Sequence, residues 1–151
     1  MRLSNLADYA VVTMCAAARH CGGGRVSASE LARETALPAP TVQKIVSKLS
    51  GAGLLRSERG AKGGLQLGRP AAAITLTDIV EAVEGPIALT ACVDETKADC
   101  SLHDSCSVKP HWPLVNEAMR GALSEITLDR LARLPAAAVP TPELISTMEP
   151  A

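Results

Sequence analysis

The sequence predicts a mainly α-helical fold with one small β-hairpin, and three observations support this prediction. Apolar residues make up 47% of the 151 residues, and alanine and leucine, both strong helix formers, are prominent among them. Apolar side chains recur at helical spacing in several segments, whereas apolar and polar residues alternate around a glycine-rich stretch near residue 60. Tyr9 and Trp112 are the only aromatic residues, so aliphatic side chains must build the core.

The first two helices are marked by spacing and by caps. Leu6, Ala10 and Met14 recur at helical spacing and predict a helix over residues 4–20, which three consecutive glycines end. Ser27 and Glu30 match the capping box, in which the serine hydroxyl and the glutamate carboxylate each accept a hydrogen bond from a backbone N–H group. A second helix is therefore predicted from this box to about residue 35.

A third helix is predicted over residues 40–50. Proline suits its first position, because the N–H group that proline lacks would have no partner within the helix there. Val42, Ile45 and Leu49 form one apolar stripe that faces a core. The other stripe is polar and cationic, and it comprises Thr41, Gln43, Lys44 and Lys48.

A β-hairpin with a flexible basic tip is predicted next, because alternating flanks enclose Gly60-Ala61-Lys62-Gly63-Gly64. Two helices, a turn, a third helix and a basic hairpin are typical of the winged helix-turn-helix. Thr75 and Asp78 resemble a second capping box, which starts a helix that runs to Gly85.

The remainder of the chain divides into three parts. Residues 86–111 look irregular and contain three cysteines, and Pro113 starts a long helix to about residue 125, with a short last helix over residues 128–134. The predicted organisation is a winged helix-turn-helix DNA-binding domain, a cysteine-rich cluster-binding loop, a dimerisation helix with the short terminal helix, and a flexible tail. These units span residues 1–85, 86–111, 112–134 and 135–151.

Charge is distributed unevenly along a chain whose net charge is −1. Residues 1–69 contain ten Lys and Arg against four Asp and Glu, a net charge of +6, and the remainder carries −7. A basic half joined to an acidic half is typical of a protein in which one part meets phosphates.

The third helix and the hairpin tip are the candidate contacts to double-stranded DNA. Thr41, Gln43 and Lys44, with Lys48, would face the major groove, and Arg59 and Lys62 would meet the backbone or the minor groove. A solvated helix face is the alternative for the lysine stripe. One such helix reads few base pairs, so a homodimer on a palindromic operator is expected, with the helix after Pro113 joining the subunits.

Three cysteines form the second candidate site. Cys92, Cys100 and Cys106 follow the spacing C-x7-C-x5-C, and thiolates are favoured ligands of iron–sulfur clusters and zinc. Three ligands are one short of a full set, so a fourth must come from elsewhere. Cys15 and Cys21 lie on or beside the first helix and are interpreted as a core residue and an incidental thiol.

Other classes of protein are disfavoured. No phosphate loop, no Ser/His/Asp set and no paired catalytic carboxylates occur at persuasive spacing, so an enzyme with a small-molecule substrate is not expected. No apolar run reaches the ~20 residues that cross a bilayer, and Asp8 interrupts any signal peptide. A cytoplasmic protein is predicted, in which disulfides are rare.

These residues together resemble the bacterial winged-helix iron–sulfur transcriptional regulators of the IscR, NsrR and RirA type. The resemblance covers residues 1 to 134. Its motifs are Met1-Arg2-Leu3-Ser4 with Asp8-Tyr9-Ala10, Arg59-Gly60-Ala61-Lys62-Gly63-Gly64, Ile79-Val80-Glu81-Ala82-Val83-Glu84-Gly85-Pro86 and the three cysteines. It implies a homodimer in which each subunit binds a [4Fe-4S] or [2Fe-2S] cluster. The cysteine spacing is most similar to that of regulators of the SUF cluster-assembly system, which implies a repressor of SUF or iron homeostasis genes.

The fourth cluster ligand departs from the IscR pattern. IscR places a histidine three residues after its third cysteine, and here Lys109 occupies that position, with His111 two residues further on. In NsrR an aspartate on the first helix of the partner subunit completes the site, and Asp8 matches that aspartate. Asp8 therefore ranks ahead of His111. A nitric oxide or redox sensor, a zinc or thiol-based regulator, and a winged helix that binds protein instead of DNA remain the alternatives.

Overall fold

The computed structural model describes residues 2–94, 96, 99–102 and 104–133, and it confirms a mainly helical fold with one antiparallel hairpin. The predicted tail over residues 135–151, and Leu134 in the predicted last helix, lie outside the described residues. None of the described helices has the length and apolar character needed to cross a membrane. The helices and strands are α1 (Asn5–Arg19), α2 (Ala28–Thr35), α3 (Ala39–Gly51), β1 (Leu55–Glu58), β2 (Gly64–Leu67), α4 (Leu76–Glu84), α5 (Trp112–Ser124) and α6 (Leu128–Arg133).

Both predicted capping boxes form, and they fix where α2 and α4 begin. The Ser27 hydroxyl accepts from the Glu30 N–H at 3.1 Å, and the Glu30 carboxylate accepts from the Ser27 N–H at 2.7 Å. Thr75 and Asp78 make the equivalent pair at 3.2 and 2.9 Å. Each box supplies partners to N–H groups that the first turn of a helix leaves without one.

The hydrophobic core surrounds α1, which packs against α2, α3, α4 and α6. Ala7 and Ala10 are fully buried, and their small side chains allow the neighbouring helices to approach α1 closely. Met14 fills the centre, with Ile45 of α3 and Ile79 of α4 among its fully buried companions in the core. Fully burying a side chain of this size stabilises the fold by about 1.5–3 kcal/mol.

The terminal helix α6 belongs to this core, although the sequence groups it with α5. Leu128 is fully buried, and α6 packs against α1. A short bridge secures it, because the Leu76 N–H donates to the Ile126 carbonyl and the Leu128 N–H to the Ile74 carbonyl, both at 2.8 Å. The chain after α5 therefore returns to complete the N-terminal unit.

The hairpin forms the wing, which consists of β1, β2 and the tip over residues 59–63. The strands pair from Leu55 opposite Leu67 to Glu58 opposite Gly64. A bridge between Val26 and Leu65, with N–O distances of 3.1 and 2.7 Å, joins the wing to the segment that precedes α2. The wing is thus attached to the helical core at its base.

We expect Gly63→Ala to destabilise the protein by about 1–3 kcal/mol, the usual range for overpacking. A Cβ atom at Gly63 would lie 2.3 Å from the Glu58 carbonyl oxygen and 2.8 Å from that of Gly60, so the tip must shift. Thermal unfolding measures the effect. Gly51→Ala is the matched control, because nothing lies within 4 Å of its Cβ position and its φ is not positive. Equal melting temperatures for Gly63→Ala and wild type would contradict this prediction.

Candidate nucleic-acid interface and cysteine segment

Helix α3 has the two faces that the sequence predicts. Val42, Ile45 and Leu49 are fully buried, which anchors α3 to the core. On the other side Gln43 and Lys44 are exposed, and within the described residues neither side chain has a hydrogen bond or an ion pair with the rest of the chain. Thr41 lies half-buried on the same helix. The helix therefore offers an amide and an ammonium group for an external partner.

Lys48 differs from Lys44, although the sequence places both on one stripe. The Lys48 ammonium donates to the Val83 carbonyl oxygen at 3.0 Å, which directs its charge toward the last turn of α4. Both lysines are exposed, but of the two only Lys48 has a hydrogen-bond partner among the described residues.

The wing tip presents two further cations. Arg59 and Lys62 are both exposed, as the sequence predicts. Arg25, which sequence reasoning missed, braces the tip: its guanidinium donates to the Lys62 carbonyl oxygen at 2.8 Å and forms an ion pair with Glu58. Arg25 and Lys62 are 37 positions apart, so no local pattern indicates this contact.

The cysteine segment, residues 86–111, is irregular where it is described, apart from a 3-10 turn at Lys109–His111. Cys92, Cys100 and Cys106 are free thiols and half-buried, and the Cys92 sulfur lies 3.1 Å from the Thr90 hydroxyl. Among the described residues, no three or more His, Cys, Asp or Glu side chains form a group that could hold a metal ion. The structure thus places the three thiols on one segment without gathering them.

The beginning of this segment is held firmly by polar side chains that sequence reasoning missed. Asn116 of α5, only 6% exposed, accepts from the Leu89 N–H at 3.0 Å and donates to the Ile87 carbonyl at 2.9 Å. Arg120 of α5 binds both oxygens of Glu81 in α4, at 2.7 and 3.0 Å, and the same carboxylate accepts from the Ile87 N–H at 3.1 Å. The segment therefore leaves a joint built by α4 and α5.

We expect Glu81→Gln to lower the melting temperature at neutral pH by an amount that shrinks as the pH falls. Hydrogen bonds from Arg120 lower the pKa of Glu81 below its usual 4.5, and this outweighs the opposing effect of burial. A carboxyl group with a lowered folded-state pKa contributes stability that is present above its unfolded pKa and lost as pH falls through the folded value.

Thermal unfolding of the two proteins between about pH 3 and about pH 7 checks this expectation. Glu117→Gln is the control, because Glu117 is 72% exposed and lies 3.9 Å from Arg120. A difference for Glu81→Gln that stays constant with pH would contradict the prediction.

Neither candidate for a fourth metal ligand belongs to a group of three or more His, Cys, Asp or Glu side chains among the described residues. Asp8 is exposed in the first turn of α1, and His111 is exposed at the end of the 3-10 turn that precedes α5. Of the other cysteines, Cys21 is exposed and Cys15 is half-buried in α1, where burial raises its pKa. Asp8 is exposed on α1, where a neighbouring molecule can reach it.

The donor chemistry of the segment fits an iron–sulfur cluster or zinc. All three thiols are free and partly accessible, and the described residues between Cys92 and Cys106 belong to no helix or strand. Thiolates on such a stretch are soft ligands that can adjust to one centre. Cys92, Cys100 and Cys106 are therefore the residues that would hold the group.

Helix α5 divides its apolar residues between two faces. Leu123 is half-buried on the face that carries Asn116 and Arg120. The outer face exposes Leu114 by 74% and Val115 by 43%. Ala118 and Ala122 continue this exposed face along the helix. This exposed apolar stripe is the surface on which the predicted joining of two subunits by α5 depends.

A helix-turn-helix with an attached basic wing and an outward polar face on its third helix defines a winged-helix DNA-binding regulator of transcription. The family described as "Rrf2: Iron-dependent Transcriptional regulator" matches residues 3–134. The chain belongs to the Rrf2 family. The predicted recognition of a winged-helix regulator and the prediction that the chain is not an enzyme are both confirmed.

Three proteins are similar to the chain over most of its length. It is 37% identical over 136 residues to Protein aau3 of Rhizobium meliloti (strain 1021), covering 88% of this chain and 86% of that protein. It is 30% identical over 131 residues to the HTH-type transcriptional regulator IscR of Klebsiella pneumoniae (strain 342), with coverages of 87% and 79%. The solved structure of CymR (YrzC), the global cysteine regulator of B. subtilis, matches with a TM-score of 0.68 at 31% identity, over 87% of this chain and 96% of that one.

Proposed function

We propose that this Rrf2-family regulator is a cytoplasmic, homodimeric repressor of SUF cluster-assembly or iron homeostasis genes, and that an iron–sulfur cluster controls its binding to a palindromic operator. One observation supports this most strongly: three free, half-buried thiols lie on a segment that starts at the joint of α4 and α5 in a DNA-binding fold. A relative with the name IscR is similar over 87% of the chain.

The DNA contacts are assigned to α3 and the wing. Gln43 presents paired donor and acceptor groups to a base edge, adenine above all, and Lys44 meets guanine or a phosphate. Thr41 lies beside them. Arg59 and Lys62 meet the sugar-phosphate backbone or the minor groove, because the glycines around them let the tip approach closely.

The cluster ligands are assigned to Cys92, Cys100 and Cys106. Asp8 of a second subunit is the preferred fourth ligand, ahead of His111, because it matches the aspartate that completes the site in NsrR. Its exposure on α1 leaves it available to a neighbouring molecule. When bound, the cluster would link the three thiolates through its iron atoms, and its loss through iron shortage, oxygen or nitric oxide would release them. Asn116 of α5 and Glu81 of α4 bind the backbone at the beginning of the segment. In this proposal, a change in the conformation of the rest of the segment reaches α4 and α5 through these two contacts.

A second candidate is a regulator that uses thiol oxidation or zinc at the same cysteines. The likeness in fold to CymR, a protein described as a cysteine regulator, favours this alternative. So does the ungathered position of the thiols among the described residues. Iron and acid-labile sulfide would be absent from such a protein, whereas zinc or a reversible disulfide would be present.

Anaerobic purification followed by DNA binding tests the proposal. The full chain is analysed for iron, acid-labile sulfide and visible absorbance, and its duplex ligand is selected from a random DNA library. Affinity for that duplex is then measured with the cluster present and after chelation. The proposal expects a brown, sulfide-containing protein whose affinity changes when the cluster is removed. A colourless protein that binds the duplex normally would overturn the cluster dependence and leave only the family assignment.

A further inference from the structure

Lys48 makes an unusual contact for a residue on a DNA-reading helix. Its ammonium reaches from α3 to the Val83 carbonyl oxygen, 3.0 Å away in the last turn of α4. Lys44, one turn earlier on α3, has no such contact among the described residues.

The contact has a clear physical cause. The last four carbonyl groups of a helix lack partners within the helix, and they form the negative end of its dipole. In α4 the Gly85 N–H satisfies the Glu81 carbonyl at 2.9 Å, which leaves the Val83 carbonyl for another donor. A lysine ammonium is a favourable donor there, because its charge opposes the dipole.

The end of α4 is also where other parts of the chain meet. The Ser4 hydroxyl, at the start of α1, donates to the Glu84 carboxylate. The Glu81 carboxylate holds the Ile87 N–H at the beginning of the cysteine segment. Gly85, with φ of +90°, turns the chain from α4 into that segment. Lys48 thus attaches the DNA-reading helix to the junction from which the cysteines emerge.

We infer that Lys48 is a positioning residue that couples α3 to the end of α4, and that it does not contact DNA. Its hydrogen bond fixes the placement of α3 relative to the junction that carries the cysteine segment. This inference rests on the proposed function for the signal that arrives through the cysteines, but the contact itself is independent of any cluster.

The test compares Lys48→Met with Lys44→Met, which both keep most of the apolar stem and remove the ammonium. DNA affinity of the cluster-free full chain is measured over a range of salt concentrations, with the selected duplex. Each phosphate contact contributes about 0.9 to the slope of log K against log salt concentration. We expect the slope to fall by about 0.9 for Lys44→Met and to stay unchanged for Lys48→Met.

Amide hydrogen exchange of the free proteins provides the second measurement. We expect the backbone amides of residues 83–89 to exchange faster in Lys48→Met than in the wild-type protein. The exchange rate should equal the wild-type rate in Lys44→Met, and also in Lys48→Arg, which keeps a cationic donor. In protein that binds a cluster, the ratio of cluster-loaded to cluster-free affinity should move toward one for Lys48→Met alone.

Two results would overturn the inference. A slope that falls by about 0.9 in Lys48→Met would make Lys48 a DNA contact, whatever the slope of Lys44→Met. An unchanged slope with unchanged exchange would mean that the ammonium does not hold α4. The salt dependence and the hydrogen exchange are both measured on cluster-free protein. These two measurements therefore decide the role of Lys48 even if wild-type binding proves independent of a cluster.

Discussion

Replacing Cys100 by alanine is expected to abolish the cluster and, with it, the cluster dependence of operator binding. The chain offers three thiols in the segment, and removing one leaves two, too few to hold an iron–sulfur centre with a single added ligand. Anaerobically purified Cys100→Ala should therefore lack the brown absorbance and the acid-labile sulfide of the wild-type protein. Its DNA affinity should equal that of cluster-free wild type at every condition.

The fold should survive this substitution, since Cys100 is only half-buried and lies outside every helix and strand. Cys21→Ala is the matched control, because Cys21 is an exposed thiol in the turn after α1, far along the chain from the segment. It should keep the absorbance and the cluster dependence. Cluster-dependent repression that persists in Cys100→Ala would refute the assignment of this ligand.

Local chemistry explains why the helices and the wing could be predicted from sequence. Ser27 with Glu30, and Thr75 with Asp78, are within three residues of each other, and both pairs form the predicted capping boxes. The buried stripe of α3 follows from spacing alone. The glycines predicted the tip of the wing. The structure shows why one of them is needed, because a Cβ atom at Gly63 would have no room.

Contacts between distant parts of the chain could not be predicted in this way. Arg25 braces the wing across 37 positions, and Asn116 holds Leu89 across 27. Leu128 completes a core that begins at α1, and its short helix gives no local sign of this. Lys48 looks equivalent to Lys44 in spacing, yet its partner is a carbonyl that only the tertiary fold brings near.

In the candidate site, too, the residue types could be predicted from sequence, whereas their arrangement in space could not. Residue types and spacing identify the thiols and the cations, because ligand softness and charge are properties of the side chain. In the proposed site, Cys92, Cys100 and Cys106 would meet around a bound group, and Asp8 would come from a second subunit. No pattern within one chain encodes that meeting, so the ligand set stays a prediction.

Replacing Leu114 by glutamate is expected to prevent the proposed dimer from forming and to lower operator affinity by roughly 100-fold or more, since linking two half-site contacts multiplies affinity by about 10²–10⁴. Leu114 is 74% exposed, and Val115, Ala118 and Ala122 extend the same outer face of α5. A carboxylate on this face would have to lose water without gaining a partner when two such faces meet. Sedimentation equilibrium and operator titration measure the two effects.

Leu114→Met separates the loss of an apolar surface from other consequences of the change, since methionine keeps a similar volume and no charge. It should remain dimeric and bind the operator as wild type does. The inner face of α5 carries Asn116 and Arg120, so neither substitution touches the joint that holds the cysteine segment. A dimer that persists in Leu114→Glu would show that the subunits meet elsewhere, and the outer face of α5 would then need another partner.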